Sequence, residues 1–320
     1  MGNQLSTKRK IPTKKKASSS ISSGTYSDSF HTDDQSSSSG QPKFLIDLYT
    51  SRADEVYHKN EHYLIKHLFQ RNYFAPIENA LTQPGSAVLD VGCGYHASWL
   101  LDMAVEFPQC AFHGFDLVEP LANVKPANLI PSNCFLKKHD LFDGFPYDDN
   151  QFDYIHQSQM QMVYPADKVS WMLEEFVRMT KENGMVELVE SDIIPKRMGP
   201  LFERLFDGVR LFIREYFGTP FHGPCLVKRM SEAGLVDIQT DYGSLPLCWG
   251  GYIGKLVYED TLRMFKLAGS TLAPYMGYEG EYDPVEFENF LDKAFDECVE
   301  YQTYFNVRWA CGRKPASNLS

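Results

Sequence analysis

Short apolar runs alternate with helix-forming segments between about residues 83 and 315. Seven of these runs have the length and composition of β-strands. They lie at 88–91, 111–116, 133–140, within 145–156, and at 185–190, 235–240 and 304–310. Because strands that alternate with helices build a sheet with helices on its faces, the pattern predicts an α/β fold.

Helical periodicity also appears on both sides of this strand-rich core. Apolar residues recur at three- and four-residue spacings between residues 43 and 82, which predicts entry or lid helices. Helical material interrupts the later strands at about 191–230 and 249–300. Insertions at these places would cover the carboxyl edge of the sheet. We therefore expect them to form a cap that holds a substrate pocket.

The turn after the first strand carries the most informative residues. Gly92 and Gly94 can adopt positive φ and carry no Cβ, so a ligand can lie against the backbone there. The spacing G-x-G-x-x-A through Ala97 also satisfies the dinucleotide fingerprint, so the glycines alone do not identify the ligand. Asp90 would repel a pyrophosphate. S-adenosylmethionine carries no phosphate and brings a sulfonium and an ammonium group, so we predict it as the cofactor, bound at Asp90, Gly92 and Gly94.

Acids at the ends of the next two strands extend this predicted site. Asp116 lies 22 residues beyond Gly94, where a ribose diol would lie in this kind of fold. Its carboxylate could accept both hydrogen bonds of the diol. Asp140 follows the third strand, and we expect it to reach the exocyclic amine of adenine, with Leu141 beside it as a further cofactor contact.

Several segments resemble class I S-adenosylmethionine-dependent methyltransferases. The resemblance rests on D-x-G-x-G at 90–94, on FPYDDNQFDYIH at 145–156 and on EEFVRMTKENGMVELVE at 174–190. Segments 58–81 and 300–315 are similar to a fungal group that includes trans-aconitate methyltransferase-like enzymes and methyltransferase-like regulators of secondary metabolism. The resemblance implies a Rossmann-like, seven-stranded methyltransferase sheet whose last strand is antiparallel, in a domain over 83–315 with helical cap insertions.

Methyl transfer from a sulfonium requires a protein base only if the acceptor must lose a proton. The candidates are His156, just past the predicted fourth strand, and His222, although either could be structural. Gln157, Gln159 and Gln161 could bind a polar substrate or cap the next helix. A carboxylate acceptor would need a cation instead, and four arginines lie on the predicted cap, where surface pairing would equally explain them. They are Arg197, Arg204, Arg210 and Arg214.

The amino terminus differs in charge from the rest of the chain. The net charge of −11 divides into +6 for residues 1–16 and −17 for the remainder, so nucleic-acid binding by the folded part is not expected. Met1–Ser6 fits the acceptor pattern for N-myristoylation at Gly2. One acyl chain binds membranes marginally, and the basic cluster could supply the second signal. The alternatives are a nuclear localisation signal and a solubilising tail.

The rest of the composition limits the other possibilities. Residues 17–42 contain eleven serines and few apolar side chains, which predicts a disordered linker. Seven scattered cysteines with no C-x-x-C pair indicate reduced thiols of an intracellular protein, and no metal is required. We therefore expect a methyltransferase with an unidentified acceptor, attached peripherally to the cytoplasmic face of a membrane. A catalytically weak methyltransferase-like regulator and an NAD-dependent oxidoreductase are the alternatives.

Overall fold

The computed structural model describes residues 57–122, 129–218, 223–277 and 281–317. Gly2, the basic segment 1–16, the linker 17–42, the first part of the entry segment and His222 lie outside the described residues. The described chain forms one mixed sheet with helices around it. Its strands are β1 Ala87–Val91, β2 Ala111–Asp116, β3 Cys134–Lys138, β4 Phe152–Ser158, β5 Thr180–Ser191, β6 Val236–Pro246 and β7 Tyr304–Arg313.

The strand order across the sheet is β3-β2-β1-β4-β5-β7-β6. Strands β1 to β5 pair in parallel, whereas β7 is antiparallel to both β5 and β6. This arrangement confirms the predicted Rossmann-like sheet with an antiparallel last strand. The chain crosses from one side of β1 to the other between β3 and β4. The carboxyl ends of β1 and β4 flank this switch point, which is where α/β sheets bind ligands.

Strands β5 and β6 extend well beyond their predicted apolar runs, because backbone pairing continues past those runs. Strand β5 begins at Thr180, and the Lys314 N–H donates to the Gly184 carbonyl while the Asn183 N–H donates to the Lys314 carbonyl. Strand β6 continues to Pro246 because it stays in register with β7 down to Tyr304. Most side chains of β6 are exposed, so its polar second half carries no hydrophobic signal.

Eight α-helices are described. They are α1 Tyr57–Phe69, α2 Glu78–Leu81, α3 Ser98–Glu106, α4 Val169–Met179, α5 Pro200–Tyr216, α6 Leu226–Glu232, α7 Tyr252–Leu272 and α8 Pro284–Glu300. Helices α5, α7 and α8 lie in the two segments where cap insertions were predicted, and they pack with α1 against β5, β6 and β7. Together these four helices are called the cap below.

Apolar side chains hold the cap to the sheet. Phe202, Phe265 and Phe287, from three different helices, are fully buried in one cluster that also contains Val307 of β7. Glu297 of α8 fastens the amino terminus of α5, since its Oε2 accepts hydrogen bonds from the N–H groups of Leu201 and Phe202 at 2.7 and 3.2 Å. These N–H groups have no partner inside their own helix, so the contact satisfies them.

Within the described ranges, no helix has the length and apolar composition needed to cross a membrane. The same residues contain no cluster of three or more His, Cys, Asp or Glu side chains suited to holding a metal ion.

Candidate functional site

The glycine turn after β1 lies at the carboxyl edge of the sheet. Gly92 and Gly94 both have φ of +71°, which explains why glycine is needed at these two positions. The N–H groups of Gly92 and Cys93 donate to the Phe115 carbonyl at 3.1 Å each, which ties the turn to β2. Ala97 precedes helix α3 with φ of +44°. The turn therefore presents backbone atoms to the space above β1.

Asp116 ends β2 and faces this turn. Its Oδ2 accepts a hydrogen bond from the Gly94 N–H at 2.9 Å, and its Oδ1 accepts one from the Val118 N–H at 3.1 Å. Burial raises the pKa of the Asp116 carboxyl, although the two N–H donors partly offset that effect. The carboxylate thus holds the glycine turn and the segment after β2 together at the edge of the cavity.

The third predicted acid lies in the same place. Asp140 follows β3 and begins a short 3₁₀ turn, where its Oδ1 accepts a hydrogen bond from the Phe142 N–H at 3.0 Å. Leu141 is buried beside it. Gly92, Gly94, Asp116, Asp140 and Leu141 all line one cavity, so the fold brings together five of the six predicted cofactor-binding residues.

This cavity has a volume of about 330 Å³ and two chemically different ends. The glycine turn and the acids after β2 and β3 form the first end. Apolar side chains of the cap form the second end, which is called the chamber below. Its walls are Leu64, Val209, Phe212, Val257, Met264, Phe265, Ala268 and Phe305. A volume of this size lies in the lower part of the range typical of small-molecule sites.

The first end of the cavity has features that fit S-adenosylmethionine. The Tyr95 hydroxyl and the Gln161 Oε1 are buried and have no hydrogen-bond partner among the described residues, although both side chains line the cavity. A buried polar atom without a partner is costly unless a ligand or water satisfies it. Together with the exposed backbone of the glycine turn, these atoms offer hydrogen bonds to a polar cofactor.

Asp90 and His156 lie next to this cavity in a smaller pocket of about 80 Å³. They are register partners on β1 and β4, and the His156 Nδ1 lies 2.9 Å from the Asp90 Oδ1. His156 was predicted to lie just past the fourth strand, and this prediction is wrong, because β4 continues to Ser158. His156 is 3% exposed and stacks on Trp99, with ring centroids 3.7 Å apart. The pair is therefore packed inside the sheet layer.

The loop after β4 forms part of the cavity wall, and a buried carboxylate holds it in place. Glu190 accepts hydrogen bonds from the N–H groups of Met160 and Gln161 at 3.1 and 3.2 Å. Gln157 is also fully buried, and its Oε1 accepts a hydrogen bond from the Tyr164 hydroxyl at 2.8 Å. Gln159 and Gln161 line the cavity. Gln157 is therefore buried and hydrogen-bonded within the protein and does not line the cavity.

Two acids that were not predicted from the sequence also line the cavity. Glu61 lies on α1 and Asp260 on α7, 199 positions apart in the chain. Burial and the neighbouring Asp260 raise the pKa of Glu61 to about 8, and burial raises the pKa of Asp260 to about 6. The only indication in the sequence was that each acid lies among the apolar residues of a predicted helix. Nothing in the sequence shows that α1 and α7 lie next to each other.

The four arginines proposed for a carboxylate acceptor do not reach the cavity. Arg197, Arg204, Arg210 and Arg214 are all absent from its lining. Arg210 pairs with Asp207 on the same helix, and the Arg204 guanidinium lies over the Phe290 ring, 5.5 Å from its centroid. Ordinary surface pairing therefore accounts for these two.

Cys93, inside the glycine turn, has the environment of a packing residue. Burial and the nearby Asp90 and Asp116 raise the pKa of its thiol well above the usual value. Because the thiolate is the reactive form, the Cys93 side chain is poorly suited to redox chemistry.

Replacement of Gly92 by alanine is expected to lower stability by about 1–2 kcal/mol through its left-handed backbone. It should also weaken S-adenosylmethionine binding by roughly tenfold, because the new Cβ would lie 2.6 Å from the Met160 Sδ and push that side chain off its rotamer into the cavity. Calorimetric titration measures the second effect. Gly85→Ala is the matched control, since Gly85 also has positive φ but its Cβ would meet nothing within 4 Å. Equal cofactor affinity in the two variants would contradict this prediction.

Comparison with known proteins agrees with the geometry. Residues 88–184 match the family model described as a methyltransferase domain. No curated protein matches the chain. Among solved structures, phosphoethanolamine N-methyltransferase 2 of Haemonchus contortus, in complex with S-adenosyl-L-methionine, is 16% identical with a TM-score of 0.48. The alignment covers 86% of this chain and 61% of that one. This chain therefore spans about three fifths of the Haemonchus protein.

A second similar structure is geranyl diphosphate C-methyltransferase from Streptomyces coelicolor, in complex with Mg²⁺, geranyl diphosphate and S-adenosyl-L-homocysteine. It is 15% identical, has a TM-score of 0.41, and the alignment covers 85% of this chain and 82% of that one. Residues 88–184 are therefore similar to methyltransferase domains, and they lie within the seven-stranded mixed sheet described above.

Proposed function

We propose that this protein is an S-adenosylmethionine-dependent methyltransferase that methylates an acceptor held in the chamber. One observation carries the proposal: a single cavity runs from the glycine turn and the acids Asp116 and Asp140 into the chamber. A methyl donor at the first end would therefore face an acceptor at the second end without crossing solvent.

The residues at the first end would each bind a different part of the cofactor. Asp116 offers a carboxylate to a ribose diol, and the backbone of Gly92 and Gly94 allows close approach of the ligand. Asp140 and Leu141 offer a carboxylate and an apolar surface to an adenine ring. When bound, the cofactor supplies a methyl group on a positively charged sulfur, which is a good leaving group. The protein's main task is then to hold the acceptor in line at near-contact distance.

Calorimetric titration of the full chain tests the cofactor directly. We expect S-adenosylmethionine and S-adenosylhomocysteine to bind, and NAD to give no saturable heat, because Asp90 would oppose a pyrophosphate. NAD binding in place of S-adenosylmethionine would overturn the proposal in favour of an oxidoreductase. Absence of binding by all three ligands would overturn it in favour of a regulator that has lost its cofactor.

We also propose that the amino terminus attaches the protein to an anionic membrane surface on its cytoplasmic face. The support is the myristoylation pattern at Gly2 followed by the cations Lys8, Arg9, Lys10 and Lys14–Lys16. A single myristoyl chain gives an association constant on the order of 10⁴ M⁻¹, so both signals are needed for stable attachment.

Gly2→Ala is expected to move most of the protein from the membrane fraction to the soluble fraction, because the acceptor for the acyl chain is removed. Cell fractionation measures the change, and Asn3→Ala is the matched control because position 3 is not specified by the pattern. Exchange of Lys14, Lys15 and Lys16 for glutamine should give a partial loss, since each cation is worth about 1 kcal/mol near an anionic leaflet. An unchanged membrane fraction in Gly2→Ala would show that the lipid is not used.

A further inference from the structure

The chamber is built almost entirely of apolar side chains from several elements. Val209 and Phe212 come from α5, Phe265 and Ala268 from α7, and Leu64 from α1. These five residues are all buried, and Phe265 has no exposed surface. A ligand that fills this space gains binding free energy by removing apolar surface from water, and the gain is about 25 cal/mol per Å² of apolar surface buried. The lining therefore favours an acceptor with a largely apolar body.

The charged side chains around the cavity are almost all of one sign. The acids that line it are Glu61, Asp116, Asp140, Asp192 and Asp260. Among the described lining residues there is no lysine or arginine, and His139 is the single basic side chain. Asp192 is already paired with Arg308, which approaches it from β7 at 2.8 Å. Among the described lining residues, no lysine or arginine faces the remaining carboxyls, although Arg263 lies near Asp260 from outside the lining.

An anionic group in this cavity would be unfavourable for two reasons. It would lose its hydration, which is costly for a charge that gains no partner. It would also lie near carboxylates, and like charges at short range repel strongly where water is largely excluded. An uncharged hydroxyl or an amine suffers neither penalty, because a carboxylate accepts its hydrogen bond.

Glu61 and Asp260 are the two acids that the cap helices contribute to the cavity wall. Each lines the cavity together with chamber residues of its own helix, Leu64 for Glu61 and Val257 and Met264 for Asp260. Glu61 also borders the smaller pocket that Gly92 and Gly94 line, so it lies near both the chamber and the glycine turn. A reacting group that faces Glu61 could therefore meet a methyl donor held at the glycine turn.

We propose that the acceptor is a largely apolar small molecule without an anionic group, and that its nucleophilic O–H or N–H faces Glu61 and Asp260. The inference rests on the proposed methyl transfer and specifies its substrate class. It excludes carboxylate and phosphorylated acceptors, including acids of the trans-aconitate kind to which the sequence resemblance pointed.

The chemistry of the step is balanced with these residues. A lone pair on the acceptor oxygen or nitrogen bonds to the methyl carbon while the methyl–sulfur bond breaks, and its electron pair stays on the sulfur. The acceptor's proton passes to the Glu61 carboxylate. Burial and Asp260 raise the pKa of Glu61 to about 8, so its carboxylate is a stronger base than that of an ordinary glutamate, and the fraction able to accept the proton increases as the pH rises through this value.

A matched pair of fluorescent probes tests the charge preference without knowledge of the natural acceptor. N-phenyl-1-naphthylamine is uncharged, and its 8-sulfonate has the same apolar body with an anionic group. We expect the full chain, saturated with S-adenosylhomocysteine, to bind the uncharged probe at least tenfold more tightly than the sulfonate at pH 8.5. Equal or tighter binding of the sulfonate would overturn the proposal.

Variants locate the probe in the chamber. Ala268→Phe should abolish binding of the uncharged probe by filling the space, while S-adenosylhomocysteine affinity stays within about twofold. Leu267→Phe is the matched control, because Leu267 is the adjacent residue on the same helix and is 45% exposed. If Ala268→Phe does not fold, Met264→Trp makes the same test at a half-buried lining position. Unchanged probe binding in a folded variant would contradict the location.

A charge-neutral double variant, Glu61→Gln with Asp260→Asn, tests the two acids. The preference against the sulfonate should fall at least threefold at pH 8.5, because in the unmodified protein this pH lies above the pKa of about 6 of Asp260 and the pKa of about 8 of Glu61, so both carboxyls are mostly ionised. In the unmodified protein the preference should shrink as the pH falls from 8.5 to 5.5 and the two groups take up protons. Asn60, Glu259 and Arg263 lie around Asp260, and Glu190 lies near Glu61. An unchanged preference in the double variant would overturn the role of these acids.

The same cavity is also lined by four other ionisable side chains, His139, Asp116, Asp140 and Asp192. The comparison of the double variant with the unmodified protein at one pH separates the effect of Glu61 and Asp260 from the effect of these four side chains.

Failure of this proposal is distinct from failure of the proposed function. A protein that binds S-adenosylmethionine but prefers the sulfonate keeps its function and has a different substrate class, whereas loss of S-adenosylmethionine binding removes the function itself.

Discussion

Replacement of Asp116 by alanine is expected to weaken S-adenosylmethionine binding by about 100-fold or more. A carboxylate that accepts two hydrogen bonds from a ribose diol contributes about 1.5 kcal/mol or more through each, so the loss is about 3 kcal/mol in total. The variant also removes the acceptor that joins the N–H groups of Gly94 and Val118. Both effects act on the same end of the cavity, which makes this the largest expected change in affinity.

Calorimetric titration of the variant measures this loss. The affinity of Asp116→Asn for S-adenosylmethionine should lie between those of Asp116→Ala and the unmodified protein, because the amide oxygen keeps one hydrogen-bond acceptor without the charge. Asp148→Ala is the control, since Asp148 is exposed in the turn before β4 and lines neither cavity. Thermal unfolding checks that each variant is folded. Affinity within a factor of three of the unmodified protein in Asp116→Ala would show that the cofactor does not use this carboxylate.

The same interaction predicts a pH dependence of binding. Burial raises the pKa of Asp116, and the carboxylate form is the one that accepts the hydrogen bonds of a diol. Affinity is therefore expected to be complete above this folded-state pKa and to fall as the pH drops through it, at a higher pH than for an exposed aspartate. Titration of S-adenosylhomocysteine from pH 8 downward checks the direction, and the Asp116→Asn variant should lack this component.

Replacement of Arg308 by methionine is expected to lower the free energy of unfolding by about 2–3 kcal/mol. The Asp192 side chain is 3% exposed, and its Oδ1 accepts a hydrogen bond from the Arg308 Nε at 2.8 Å. Removal of one partner leaves a buried charge uncompensated, which costs about 3–5 kcal/mol when both groups are buried. The loss expected for Arg308→Met is smaller than this because 28% of the Arg308 side chain is exposed. In addition, Asn306 and Lys196 also contact Asp192.

Urea unfolding measures this effect, and the same strand offers a matched control. Arg313→Met on β7 removes a pair with Asp237, whose side chain is 66% exposed, so the expected change is about 1 kcal/mol or less. Adding Asp192→Asn to Arg308→Met should recover at least half of the lost stability, since no charge is then left unpaired. Equal losses in the Arg308 and Arg313 variants would contradict the argument from burial.

The pH dependence of this stability term has a definite sign. Burial alone would raise the pKa of Asp192, but the hydrogen bonds from Arg308 and Asn306 and the charges of Arg308 and Lys196 outweigh it and lower the pKa. A lowered folded-state pKa stabilises the protein above the unfolded value of about 4, and this contribution is lost as the pH falls through the folded value. The difference between Arg308→Met and the unmodified protein should therefore be largest at neutral pH and shrink below about pH 4.

Local features of the sequence were enough to predict that the residues at the first end of the cavity lie together. The apolar run at β1, the glycines at 92 and 94, and the acids at 116 and 140 are each recognisable within a few residues. Parallel strands bring their carboxyl ends to one edge, so acids placed after those strands meet without further information. The fold class followed for the same reason, because the alternation of strands and helices is a local pattern.

Features that depend on pairing between strands were predicted incorrectly from the sequence. His156 looked like a residue beyond β4, but β4 extends two residues further because it continues to pair with β5. The register of β1 with β4 then sets His156 directly beside Asp90. Neither the register nor the pairing of the two side chains can be obtained from the spacing of apolar residues in either strand.

By itself, the sequence determined the α/β class, the glycine turn and the acids at the first end of the cavity, because each depends on contacts close in the chain or on the geometry common to parallel strands. The tertiary structure alone decided the chamber, the meeting of Glu61 with Asp260 and the burial of Asp192 against Arg308. The two pairs join residues that are 199 and 116 positions apart. The chamber and the first pair form because the cap helices bury their apolar faces against the sheet, whereas Asp192 and Arg308 meet because β5 and β7 are neighbouring strands. A side chain's pKa and partner depend on what this packing places beside it.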